Sequence, residues 1–160
     1  MQTPPESLAF IEHAPVVARV TRELPAAAAE VFDALADAEG WERWFPGMRR
    51  CEWLTPEPYG VGSLREVRVD SLRVVERFIV WERPHRWGFT FADVRPRIAR
   101  AGMELVELDD LGSTRSLVTY TMALRPIVPV GPVAKVATGA LESKLTTALA
   151  GLERHVVASR

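Results

Sequence analysis

Arg65 and Glu76 flank a turn at Asp70-Ser71 in the run SLREVRVDSLRVVERFIV. With those two residues as the loop, opposite positions keep a constant index sum. Val69 then meets Leu72, Val67 meets Val74, and Arg65 meets Glu76. The pair shares a face with Val67, Val69, Leu72, Val74, Phe78 and Val80, while Glu66, Arg68, Arg73 and Arg77 fall on the solvent side. An arginine and a carboxylate on an apolar face are costly to bury, and persist there only if paired, hydrated or used. A carboxylate so placed can move protons, and a guanidinium can steady an oxyanion or orient a polar group. The alternative is a rim pair at the edge of the sheet. Asp-Ser is a weaker turn signal than Asn-Gly, and a one-residue slip would turn the pair outward.

Other chemistry is thinly represented. The single cysteine, Cys51, excludes an internal disulfide and reads as a small packed residue in a strand. His13, His85 and His155 have no metal-ligand spacing, and His155 sits where the last helix ends, suited to its carbonyls. No metal and no cofactor are expected. GVG and VGPV lack the glycine spacing of a nucleotide site, and no nucleophile elbow or paired-carboxylate motif is present.

The elements that must position the pair follow from periodicity. Residues 131–157 form one long helix, with an apolar stripe of Val133, Val136, Ala137, Ala140, Leu141, Leu145, Ala148, Leu149, Leu152 and Val156. Pro132 lies in its first turn, where proline is accepted. Val16 to Leu24 alternates as a half-buried strand, and Pro25 opens a helix through Val31, Phe32 and Leu35 that ends near Gly40. A short helical turn carries Trp41, Trp44 and Phe45. Residues 50–54, 63–69, 72–82, 87–92, 103–108 and 114–124 read as strands whose close turns make them antiparallel neighbours, seven with the first. A half-apolar sheet and a half-apolar helix would bury each other.

Parity carried along this meander puts Trp87, Phe89 and Phe91 on the face of Phe78 and Val80. A loop around Leu111-Gly112 sets Met103 and Leu105 beside Tyr120 and Val118, with Met122 and Leu124 following. The inner surface would be aromatic and methionine-rich. A sheet curled around one helix has more concave surface than the helix covers, so some of these rings line a cavity while others fill the core.

A chain of 160 residues, 48% apolar, makes one domain, expected over residues 16–160 behind a flexible arm at 1–15. A net charge of -1 offers no whole-chain attraction for nucleic acid or anionic membrane, though a local patch remains open. No apolar run reaches membrane-helix length, and MQTPPESLAFIEHAP lacks the build of a signal peptide, so a cytoplasmic protein without integral membrane association is expected.

RVTRELPAAAAEVFDALADAEGWERWFPGM, GVGSLREV, ERFIVWERPHRWGFTF, GSTRSLVTYTM and the closing LERH resemble the START-like superfamily that includes polyketide cyclases and dehydrases, SRPBCC for short, over residues 16–157. The resemblance implies an α+β helix-grip fold, a seven-stranded curved antiparallel sheet around a long C-terminal helix with two short helices after strand 1. It also implies a cavity between sheet and helix. Carried over by residue, Trp44 and Phe45 would stand near the mouth, Arg65, Glu76, Phe78, Trp87, Phe89, Tyr120 and Met122 in the walls, and Leu141 and Leu145 on the helix. The implied function is binding of a small hydrophobic molecule of polyketide, lipid or aromatic type by a monomer or homodimer. The alternative is a cyclase or dehydratase using Glu76, Arg65 and Tyr120 in the same cavity. The fuller set of polar wall residues of aromatase and cyclase members is not matched, which favours binding.

Overall fold

A computed structural model describes residues 7–129 and 131–160. One antiparallel sheet of seven strands has the order β1-β7-β6-β5-β4-β3-β2. The strands are β1 (Val16–Leu24), β2 (Met48–Trp53), β3 (Leu64–Val69), β4 (Leu72–Glu82), β5 (Arg86–Arg95), β6 (Ala99–Asp110) and β7 (Ser116–Pro126). Around them lie α1 (Phe10–His13), α2 (Ala28–Ala36), α3 (Trp41–Trp44) and α4 (Ala134–Ala158), the last entered through a 3-10 turn at Gly131–Val133. This is the expected α+β helix-grip arrangement. No helix among the described residues is long and apolar enough to cross a membrane.

The core lies between the concave face of the sheet, α2, α3 and the C-terminal half of α4. Leu145, Ala148, Leu149, Leu152 and Val156 are buried there with Val31, Phe32 and Leu35. Two indole N–H groups finish α2: Trp41 Nε1 donates to the Leu35 carbonyl at 2.9 Å and Trp53 Nε1 to that of Ala36 at 3.2 Å. Gly151 brings α4 so close to α3 that a Cβ there would stand 2.3 Å from the Trp44 carbonyl oxygen.

The β3–β4 hairpin has the expected register, with Val69 opposite Leu72 and Arg65 opposite Glu76. Four expectations are corrected. Val80 does not join the inner face: an irregularity between Phe78 and Val80 shifts the alternation, and Trp81 instead turns its ring onto Phe32, Trp53 and Phe78. Val80 lies along a surface groove with Leu8 and Ile79. Met103 and Leu105 do not lie beside Tyr120 and Val118. The β6–β7 loop spans 111–115, so Val106 faces Tyr120, Leu108 faces Val118 and Glu104 faces Met122. Met103 packs on the convex side with Phe10, Ala101 and Ala123. The segment expected as a loose arm thus contains α1, with Phe10 buried against the back of the sheet; residues 1–6 of that arm lie outside the described residues. Fourth, the apolar stripe of the last helix is covered only in its second half: Val133 and Val136 are 56% and 73% exposed.

Candidate functional site: an apolar cavity under the last helix

The β5–β6 ladder stops at Thr90 opposite Met103. Where its register ends, a cavity of about 280 Å³ opens between the sheet, α3 and the first half of α4. Ile98, Ala99 and Pro126 stand at one side of it, Phe45, Leu141 and Lys144 at another, and Val67, Val74, Phe91, Met122 and Leu124 among its walls. Gly102 in β6 leaves room for the Phe91 ring, which a Cβ there would meet at 2.2 Å. The carboxyl-bearing side chains in this apolar lining are Glu76 and Glu104.

Of the side chains expected at the site, Phe45, Glu76, Met122 and Leu141 line this cavity. Arg65, Phe78, Trp87, Phe89, Tyr120 and Leu145 are fully buried in the packed interior beside it, and Trp44 packs against Trp41 and Phe45. These seven do not line the cavity.

Arg65 is the most unusual of the buried group. Its Nε donates to Glu76 Oε1 at 2.6 Å, and both residues are sealed, with side-chain exposures of 0% and 4%. Nη1 and Nη2 have no hydrogen-bond partner among the described residues. Instead the guanidinium carbon lies 4.4 Å from the Trp41 ring centroid, 5.1 Å from Trp87, 5.5 Å from Phe78 and Phe89, and 5.8 Å from Trp53. Ring faces supply part of the stabilisation that absent acceptors do not. Burial opposes the charge on Arg65, yet the adjacent Glu76 carboxylate holds the guanidinium above its ordinary value. Burial holds the Glu76 carboxyl above its ordinary value, against the downward pull of Arg65. Cys51, buried alongside, has its thiol pushed up to about 12 by burial above all, so it is no nucleophile at neutral pH.

Glu104 went unrecognised in the sequence. It is 7% exposed, lines the cavity and accepts a hydrogen bond at Oε1 from the Tyr120 hydroxyl. Burial raises its carboxyl to about 8, helped by the negative charge of Glu76 and opposed by Tyr120, Arg65 and Lys144. Tyr120 is held well above its ordinary value, first by burial and then by Glu104, so its hydroxyl keeps its proton and donates. Near neutral pH the cavity wall therefore holds a neutral acid, Glu104, beside the Arg65–Glu76 contact. The only signal for Glu104 was the alternation in MELVEL, which reads equally well in either phase.

Comparison with known proteins bears on the fold. A family profile described as polyketide cyclase / dehydrase and lipid transport matches residues 15–157. An uncharacterized protein of Mycobacterium tuberculosis strain H37Rv is 33% identical over 150 residues, covering 92% of this chain and 89% of the relative. Among solved structures, a START superfamily protein from Mycobacterium smegmatis is similar with a TM-score of 0.74 at 18% identity, over 90% of this chain and 99% of that one. A Thermus thermophilus protein gives 0.76 at 19%, over 89% and 98%. The ZhuI aromatase/cyclase from Streptomyces sp. R1128 gives 0.66 at 16%, over 89% and 92%.

Proposed function

Since the chain belongs to the polyketide cyclase / dehydrase and lipid transport family, we propose that it binds a small, mainly apolar molecule of polyketide, aromatic or lipid type in the cavity between sheet and α4. The observation that carries this reading is the contrast within the interior. Around Arg65 five rings crowd the sealed guanidinium, whereas beside Glu76 and Glu104 about 280 Å³ with apolar walls is left unfilled. A void of that size forfeits packing contacts, and a ligand that fills it recovers them. Its carboxyl groups at the inner end would orient the ligand's polar part.

Native mass spectrometry of freshly purified protein tests this, together with saturable binding of naphthalene-sized aromatics. Filling the cavity by Met122→Trp should abolish binding in a folded protein. Unchanged affinity in that variant would overturn the reading. A second reading, a cyclase or dehydratase acting in the same cavity, draws its support from Glu104, a carboxyl poised near 8 at the wall and suited to give and take a proton. Turnover that falls about 100-fold in Glu104→Gln while ligand still binds would favour that enzyme.

A further inference from the structure

We propose that Glu104, held by Tyr120, is a hydrogen-bond donor for a ligand carbonyl, so that the cavity selects neutral apolar ketones or enones over hydrocarbons of the same shape and over amines. The inference rests on the cavity reading above and names the polar group of the ligand.

The argument is one of donors and counter-charges. Tyr120 on β7 supplies a hydroxyl to Oε1, which commits that oxygen as an acceptor and leaves Oε2 for the carboxyl proton. The charged groups that act on Glu104 from the packed elements are Glu76 on β4, Arg65 on β3 and Lys144 on α4. Arg65 is already paired with Glu76 at 2.6 Å, and Lys144 Nζ is drawn to Asp70 Oδ2 at 2.7 Å. Among these groups no cation is left to compensate a second carboxylate in the chamber, so Glu104 holds its proton near neutral pH, in line with a carboxyl raised to about 8. A protonated carboxyl in an apolar wall offers an O–H to whatever fills the space. A carbonyl oxygen is the acceptor that matches it without bringing charge into the chamber. An amine would add a cation near Arg65 and would have to ionise Glu104 first.

The test compares 2-acetylnaphthalene, 2-ethylnaphthalene and 1-(2-naphthyl)ethylamine by equilibrium dialysis at pH 6.5 and 9.5. The wild type should prefer the ketone over the hydrocarbon by about 10-fold at pH 6.5. It should lose that preference at pH 9.5, where Glu104 is ionised and faces the carbonyl as a second acceptor. Glu104→Gln, whose amide donates at any pH, should keep the preference at both, and Glu104→Leu should lack it at both. Circular dichroism checks that each variant is folded. If Glu104→Leu does not fold, the pH dependence of the wild type and its absence in Glu104→Gln still decide the matter. Equal binding of ketone and hydrocarbon by the wild type at pH 6.5 overturns the inference while the cavity reading stands. Tightest binding of the amine at pH 6.5 overturns it in favour of a cation site. Failure of all three probes to bind overturns both.

Discussion

Removing Glu76 and removing Arg65 should have different costs, and removing both should cost least. In Glu76→Leu the guanidinium stays buried with no carboxylate and no hydrogen-bond acceptor for Nη1 or Nη2, since the cage around it is made of rings. Stranding a buried charge in this way costs about 3 to 5 kcal/mol. In Arg65→Met the orphaned carboxyl has an escape, because it can take up a proton. From an ordinary value of 4.5, protonation at pH 7 costs about 3 kcal/mol at 1.36 kcal/mol per pH unit, and almost nothing near pH 4.5. The folded pKa of Glu76 in that variant lies above its unfolded value, so its stability falls as pH rises from 4.5 by more than that of Glu76→Leu, which lacks this contribution. The double variant leaves a thioether among rings and a leucine at the cavity, and should lie near wild type or above it by about 1 to 4 kcal/mol. Urea unfolding followed by tryptophan fluorescence measures all four proteins. A double variant destabilised by the sum of the singles would refute the reasoning, since the rings and not the carboxylate would then be what the charge depends on.

Glu104→Gln gives a second pH signature. The carboxyl is near 8 when folded and ordinarily 4.5, so the wild type should lose about 5 kcal/mol relative to this variant between pH 4.5 and 8, read from paired melting curves. A constant difference would place Glu104 in water. Leu145→Ala, fully buried against the core, should cost about 2 to 5 kcal/mol in urea unfolding, whereas Leu141→Ala at the cavity should cost under about 1. Equal costs would mean that the two halves of α4 pack alike. Gly151→Ala should destabilise by about 1 to 3 kcal/mol through the Trp44 carbonyl, while Gly139→Ala, which meets nothing, should stabilise by about 0.5 to 1 in thermal unfolding. Stabilisation by both would dismiss the close approach of α3 and α4.

The β3–β4 hairpin was legible because two residues of turn fix the index sum and because Glu66, Arg68, Arg73 and Arg77 mark the outer face by charge. On β6 neither cue operates. Met103 and Leu105 are as apolar as Val106 and Leu108, since Phe10 covers Met103 from behind, so hydrophobicity could not choose the face. The loop 111–115 chose it, and Glu104 came inside with it. Other residues of the site were missed for a different reason: Trp41 and Lys144 enter through helix placement, which a strand register does not contain. The irregularity between Phe78 and Val80 likewise leaves no mark in the alternation and exchanges Val80 for Trp81.

The uneven burial of α4 separates two rates that a uniformly packed helix would tie together. Every buried residue of α4 falls from Leu145 onward. The stretch 134–144, about 16 Å of helix above the cavity, contributes none. Its backbone can leave the sheet at a free energy well below that of global unfolding, and amide hydrogens there should exchange earlier than those of 145–156. In the proposed binding role, a molecule in the cavity would depart on the timescale of that partial opening while the rest of the domain stays folded. Residence time and melting temperature would thereby become separable: substitutions at buried Leu149 should move the second, and substitutions at Leu141 on the cavity wall the first.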